Sequence, residues 1–218
     1  MKNIPRIFIG KTIKSGNIIP VDKDIAHYLT RVMRRNDCLV FGDGNEYAAE
    51  LNDDGKTITV GNRTNHDDPA NDIVLYFAPI KRLDDMLNMA TQMGVSRFVP
   101  VITDRTVANH INWNRMNKIV AEAAEQSNRN SVPEIESPIK FSDLPFTDLV
   151  FADERAAYGR ELPKEYKNAK NILVGPEGGF SDAEFEMLDK NGARGMSLGK
   201  TILRAELAAP IAISRVEQ

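Results

Sequence analysis

Along the first third of the chain, apolar residues fall in short runs broken by turn-formers. From residue 69 onward the apolar runs lengthen and alternate with helical stripes. Residues 38–41 and 46–51 have strand character and are joined by Gly42-Asp43-Gly44-Asn45, a hairpin-type turn sequence. Asn52-Asp53-Asp54-Gly55 forms a second turn, before a strand over 56–60. Ahead of these, the spacing of Ile25, Tyr28, Leu29 and Val32 predicts a helix over 22–35, with Arg31, Arg34 and Arg35 largely off its apolar face. The polar, proline-ended stretch 65–69 reads as a linker. The expected domains are therefore residues 1–68, a small β unit, and residues 69–218.

In the second part, 73–78 is an uninterrupted apolar strand, the pattern of a strand covered on both faces. Leu83, Met86, Leu87, Ala90 and Met93 line one side of a helix over 81–93, and Gly94 can supply its left-handed cap. Residues 95–102 give the next strand. Asn112 is placed to cap a helix that buries Trp113, Met116, Ile119, Val120 and Ala123. Short strands at 149–152 and 172–174 precede a helix over 181–190, which Asn191-Gly192 stops. Strands alternating with helices predict an α/β layered domain with a mainly parallel sheet.

Two stretches carry candidate chemistry. Gly175-Pro176-Glu177-Gly178-Gly179-Phe180 links a strand to a helix whose start, Ser181 to Glu184, has capping-box spacing. Open α/β sheets bind ligands at such strand–turn–helix junctions. The loop does not match the P-loop or dinucleotide patterns, and Glu177 would repel a phosphate at close range. By turn chemistry alone it is either a tight structural turn or a loop for a cationic or donor-rich ligand. A second stretch, Met196 to Ser214, again runs from short apolar residues through Gly199 into a helix, so the two loops could face one pocket.

Composition narrows the class further. The chain has 218 residues, 42% hydrophobic and 27% charged, as in ordinary globular proteins. No apolar run approaches the roughly 20 residues needed to span a bilayer, and the first residues lack a secretory leader's apolar core, so a cytoplasmic protein without a membrane partner is expected. One cysteine, Cys38, suits a small buried side chain in a reducing compartment. His27, His66 and His110 show no metal-ligand spacing, so no metal is expected. Net charge is −3 overall, yet residues 1–35 carry net +6. That asymmetry is either a polyanion-binding face or a solvated basic surface.

The pair GPEGGFSDAEFEML and SLGKTILRAELAA resembles the signature of the RsmE family, the bacterial 16S ribosomal RNA (uracil N3) methyltransferases of the SPOUT class. The resemblance continues through HYLTRVMRRNDCLVFGDGNEYAAEL, similar to the family's PUA-like RNA-binding barrel, and through ATQMGVSRFVPVITDRTV and the segment from Trp113. It implies a SPOUT-type α/β domain with a C-terminal trefoil knot, preceded by a small PUA-like β-barrel domain. The implied cofactor is S-adenosyl-L-methionine, and the implied partners are 16S rRNA or the 30S subunit and a second copy in a homodimer. Leu173, Gly175, Pro176, Glu177, Gly178, Gly179, Ser197, Leu198, Gly199, Ile202 and Leu203 would form the cofactor pocket. Arg204 would stabilise charge developing on the uracil, and Glu206 would act as base or would orient Arg204. Arg6, Arg31, Arg34 and Arg35 would contact RNA phosphates.

The chain also departs from the family pattern. The usual ILRTETA reads Ile202-Leu203-Arg204-Ala205-Glu206-Leu207-Ala208, and KATELG reads Met89-Ala90-Thr91-Gln92-Met93-Gly94. These losses keep open a non-catalytic RNA-binding or ribosome-assembly protein that retains the fold. Pro210 suits the last helix only if that helix starts near 207–209.

Overall fold

The computed structural model describes residues 4–10, 12–42, 44–69, 71–106, 112–163, 166 and 169–217. Asp43 of the first turn, Lys2 and Lys11 of the basic stretch, and His110 lie outside the described residues. By its internal contacts the chain divides into two units, residues 1–70 with 124–132 and residues 71–123 with 133–218.

The first unit is a curled five-strand half-barrel. Its strands are β1 (Arg6–Phe8), β2 (Ile18–Pro20), β3 (Asp37–Phe41), β4 (Glu46–Leu51) and β5 (Thr57–Arg63), in the order β1-β3-β4-β5-β2. The alternation that predicts β3 and β4 also sets their antiparallel register, Leu39 opposite Ala48 and Val40 opposite Tyr47. β1 and β2 are three residues each, too short for the alternation to announce them. Ile7, Ile13, Leu29, Val40, Ile58 and Val60 fill the interior with Cys38. Burial pushes the Cys38 thiol up to about 12, with the charge of Asp37 adding to the effect.

The expected helix over 22–35 is only half formed. Asp22 caps α1 (Lys23–His27), accepting from the Ile25 N–H at 2.8 Å. The chain then winds into a π-helical turn over Tyr28–Met33, and Arg34 takes a left-handed conformation at φ 54°. A π turn carries more residues per revolution than an α turn, so the 3.6-residue stripe loses its register. Leu29 stays buried, whereas Val32 is 60% exposed and Tyr28 projects outward.

A polar tie holds β1 to the segment after residue 123. The Arg6 side chain is 7% exposed and its Nε donates to Glu46 Oε2 at 2.8 Å. Its Nη1 donates to the carbonyls of Ala124 and Glu125, and its Nη2 to the Arg129 carbonyl and Asn130 Oδ1. The guanidinium also lies 4.4 Å from the centroid of the Phe41 ring. Asp68 accepts from the backbone N–H groups of Asn130 and Ser131, and Asn130 Nδ2 donates to the His66 carbonyl. Every group in this tie finds a partner, which is the condition for polar burial.

The second unit is a parallel sheet with helices. Its strands are β6 (Val74–Phe77), β7 (Arg97–Ile102), β8 (Glu134–Ile135), β9 (Ile139–Lys140), β10 (Leu149–Ala152), β11 (Asn171–Val174) and β12 (Arg194–Met196). The order is β12-β10-β11-β6-β7-β8, with β9 also on β7, and every described pairing is parallel. The helices are α2 (Leu83–Gln92), α3 (Trp113–Gln126), α4 (Asp182–Lys190) and α5 (Ala205–Glu217). The stripes predicted for α2 and α3 bury Met86, Leu87, Ala90, Met116, Val120 and Ala123. Trp113 is the exception. It stands in the first turn of α3 and is 37% exposed, so it is not core. Asn112 does cap the helix, accepting from the Arg115 N–H at 3.1 Å.

α5 begins at Ala205, two residues or more before the start that would spare Pro210, and Pro210 lies inside it. The missing N–H and the ring clash cost about 3 kcal/mol in a free helix. Burial of Ala208, Ala209, Ala212, Ile213 and Val216, with α5 packed on α2 and β11, offsets that cost. Among the described residues no helix is long and apolar enough to cross a membrane.

Candidate active site

β10, β11 and β12 run parallel side by side, so their carboxyl ends Ala152, Val174 and Met196 open in the same direction. The loops that leave those ends surround a cavity of about 220 Å3. One wall is Gly175, Pro176, Glu177, Gly179 and Phe180, the turn after β11. The facing wall is Leu198, Gly199, Thr201, Ile202, Leu203 and Arg204, the turn after β12. A third wall, Ala152, Asp153, Glu154 and Ala157, follows β10, and Ala205 and Ala208 of α5 complete the lining.

Glycines allow the close approach of these walls at two points. A Cβ on Gly175 would stand 2.9 Å from the Phe180 ring, which is locked in a cluster with Phe141, Phe151 and Phe185 at centroid distances of 5.6–6.2 Å. Gly179 has φ +68°, and a Cβ there would collide with the Glu154 carboxylate.

The turn after β11 is held from outside the cavity. Ser181 caps α4 in a full capping box: its Oγ accepts from the Glu184 N–H at 3.3 Å, and Glu184 Oε2 accepts from the Ser181 N–H at 2.8 Å. Glu184 Oε1 accepts from the Asp104 N–H at 2.9 Å, and Ser181 Oγ donates to Asp104 Oδ2 at 2.5 Å. Arg105 Nη1 donates to the carbonyls of Gly178 and Phe180 at 2.9 and 3.1 Å.

Glu177 of the turn after β11 and Glu206 of the first turn of α5 both reach back to the start of α2. Glu177 Oε1 accepts from the Lys81 N–H at 2.9 Å. The buried Glu206 carboxylate lies 3.8 Å from Arg82 Nε. The wall after β10 is fixed by a charge cluster. Asp153, whose side chain is fully buried, accepts from Arg155 Nε at 2.8 Å and Nη2 at 2.7 Å, and Arg155 continues to Asp189 at 3.0 Å. Arg160 joins Asp189 at 2.9 Å. Burial would raise the Asp189 carboxyl, but the hydrogen bonds from Arg155 and Arg160 outweigh it and hold it below the ordinary carboxylate range.

Of the expected pocket residues, Gly175, Pro176, Glu177, Gly179, Leu198, Gly199, Ile202 and Leu203 line the cavity, and so does Arg204. Leu173 does not: it is fully buried in the core beneath. Gly178 faces Arg105, and Ser197 stands outside the lining, its N–H donating to Tyr166 Oη at 3.4 Å. Glu206 is also outside the lining, and its ion partner is Arg82, not Arg204. Arg204 is exposed and its side chain has no ion pair or hydrogen bond among the described residues. The wall after β10 was missed by sequence reasoning. Its signal is positional, since residues following a parallel strand at its carboxyl end belong to a ligand crevice once the strand order is known.

In the first unit the four expected RNA-contact arginines separate. Arg6 is enclosed in the polar tie, which takes up its donors, so it is not available to a phosphate. Arg35 is half-buried and hydrogen-bonded to Asp37. Arg31 and Arg34 are exposed, without ion pairs among the described residues.

Comparison with known proteins agrees with this geometry. Residues 67–217 match the family model described as an RNA methyltransferase domain. The ribosomal RNA small subunit methyltransferase E of Rickettsia conorii is 33% identical, over 97% of this chain and 94% of that one. The crystal structure of a ribosomal RNA small subunit methyltransferase E from Neisseria gonorrhoeae bound to S-adenosyl methionine superposes with a TM-score of 0.81. It is 27% identical and covers 97% of this chain and 96% of its own. A probable rRNA-methyltransferase from Porphyromonas gingivalis gives the same TM-score at 26% identity, with 97% and 96% coverage. With the glycine turns after β11 and β12 facing each other across one cavity, these matches make the chain a member of the ribosomal RNA small subunit methyltransferase E family, on the α/β fold that the superposed structures share.

Proposed function

We propose that the protein methylates N3 of a uridine in small-subunit ribosomal RNA, using S-adenosyl-L-methionine. The observation that carries this reading is the cavity between the turns after β11 and β12, with Arg204, unpaired among the described residues, at its edge. The lining suits that cofactor. Val174, Leu198, Ile202 and Leu203 offer apolar surface to an adenine ring, and the cradle at Gly175 and Gly179 brings backbone groups close to a ligand. The acids Glu154 and Glu177 on the lining favour a positively charged molecule over a phosphate.

When bound, the cofactor supplies an electrophilic methyl group on a sulfonium. Uracil N3 must give up its proton to solvent water as it attacks that methyl; the negative charge so formed spreads over N3 and the flanking carbonyl oxygens until the new N–C bond neutralises it and the thioether leaves. Arg204, a cation with no ion pair or hydrogen bond of its side chain among the described residues, stabilises this charge where it develops. The locked turns, held by Arg105 and the Glu184 capping box, position the two reactants in line. Glu206 holds Arg82 at the start of α2 and so braces the turn that carries Arg204. Arg31 and Arg34 of the first unit supply phosphate contacts, flanked by Arg35 on Asp37.

The homodimer belongs to the same reading. Ile202 and Leu207 flank Arg204 and are 53% and 45% exposed, and a second copy covering them would dry the site. The test is transfer of labelled methyl from S-adenosylmethionine to small-subunit rRNA or 30S subunits, followed by nucleoside mass spectrometry. The expected product is N3-methyluridine. Absence of transfer with intact, salt-sensitive RNA binding would instead support an assembly protein that keeps the fold.

A further inference from the structure

Among the described residues three carboxylates line the cavity, Asp153, Glu154 and Glu177. Asp153 is locked by Arg155, and Glu177 accepts from the Lys81 N–H. Glu154 alone among them has no hydrogen bond and no ion pair among the described residues. It is half-buried, and its carboxylate lies against the Cα of Gly179, between the wall after β10 and the turn after β11. A carboxylate drawn partly out of water without a donor costs free energy, so its place calls for a donor from a ligand.

The backbone beneath it is built to hold that place. Glu154 opens a short 3-10 turn (Glu154–Tyr158), capped by Asp153, which accepts from the Arg155 N–H at 3.1 Å, and closed by Gly159 at φ +93°. Arg155 then ties Asp153 to Asp189, with its guanidinium 3.9 Å from the centroid of the Phe185 ring. On the opposite side, a side chain at position 179 would occupy the space of the carboxylate, and glycine leaves it clear.

We infer that Glu154 is a ligand-reading acid of the cavity, accepting hydrogen bonds from the hydroxyl or ammonium donors of an adenosyl amino-acid cofactor. The inference rests on the reading of the cavity as the S-adenosylmethionine site. It accounts for the third wall, which neither glycine turn supplies, and for the placing of an acid where the ligand is a net cation.

Calorimetric titration of the full chain and of its Glu154→Gln and Glu154→Ala variants tests it. Three probes are used: S-adenosylmethionine, S-adenosylhomocysteine, and 5′-methylthioadenosine, which keeps the ribose and lacks the amino acid. Loss of a hydrogen bond to a charged group predicts binding weaker by about tenfold or more for the first two probes in both variants. Equal weakening for 5′-methylthioadenosine assigns the donors to the ribose, and unchanged binding of that probe assigns them to the ammonium. The Glu154 carboxylate has no hydrogen bond or ion pair among the described residues, so both variants should melt as the wild type does. Gly179→Ala, which crowds the carboxylate, should weaken the same probes. Wild-type affinity for all probes in both Glu154 variants overturns the inference and leaves the cofactor site standing. Failure of the wild type itself to bind S-adenosylmethionine overturns both.

Discussion

Arg6 and Arg204 stand in the two different units of the chain, and their surroundings are opposite. Around Arg6, each polar group meets another: Glu46, three carbonyls, Asn130 and the face of Phe41. Around the cavity, the structural acids Asp153, Glu177, Glu184 and Glu206 are also engaged, yet the side chains of Arg204 and Glu154 have no partner among the described residues. A fully satisfied network fixes a shape, and a charge left without a partner is available to something that arrives later. On the proposed function the same residue type serves as a strut in one unit and as chemistry in the other.

The contrast breaks most visibly at the strut. Arg6→Ala leaves Glu46 as an uncompensated buried charge and should cost about 3–5 kcal/mol in urea unfolding, with Arg6→Lys falling between the two because it lacks the forked donors. Arg204→Ala should do the reverse. Melting stays unchanged while methyl transfer drops by about 10²–10³-fold, the usual cost of losing one electrostatic stabiliser. If Arg204→Ala melts early, or Arg6→Ala melts normally, the division between strut and chemistry fails.

A smaller effect sharpens the comparison within the first unit. Removing Arg31 and Arg34 together should weaken RNA binding and flatten its dependence on salt, by about 0.7–0.9 in log–log slope for each phosphate no longer neutralised. Filter binding across a salt series reads this directly, and an unchanged slope would remove both arginines from the RNA face.

The smallest expected effect is at Asp189. Its carboxyl is held low by Arg155 and Arg160, so the stabilisation is complete above the ordinary carboxylate range and fades as pH falls through the lowered value. Because Asp189 is more than one-third exposed, the contribution should stay below about 1 kcal/mol. Thermal melts from neutral pH down into the acid range should show the wild type converging on Asp189→Asn at the acid end.

Much of this arrangement was legible in the chain. Ser181 and Glu184 announced the capping box, and the glycine turns announced two walls of the cavity, because local turn chemistry needs no knowledge of distant contacts. The third wall was not legible, since it depends on β10 lying between β11 and β12, an order set by tertiary packing. Arg6 was misjudged for a related reason. Its charge is local, but its partners lie forty to more than a hundred residues away. Val32 and Trp113 were expected inside and stand outside, the first because a π turn shifts the stripe and the second because it sits at the very start of α3.

The tie between β1 and residues 124–132 bears on how such proteins can be recombined. The first unit is not a contiguous stretch of chain, since Asn130, Ser131 and the carbonyls that Arg6 reaches are encoded after α3 has begun. A chimera that exchanges only residues 1–70 with a relative would pair a foreign Arg6 and Asp68 with native acceptors and donors. Grafts that respect the architecture must carry both segments.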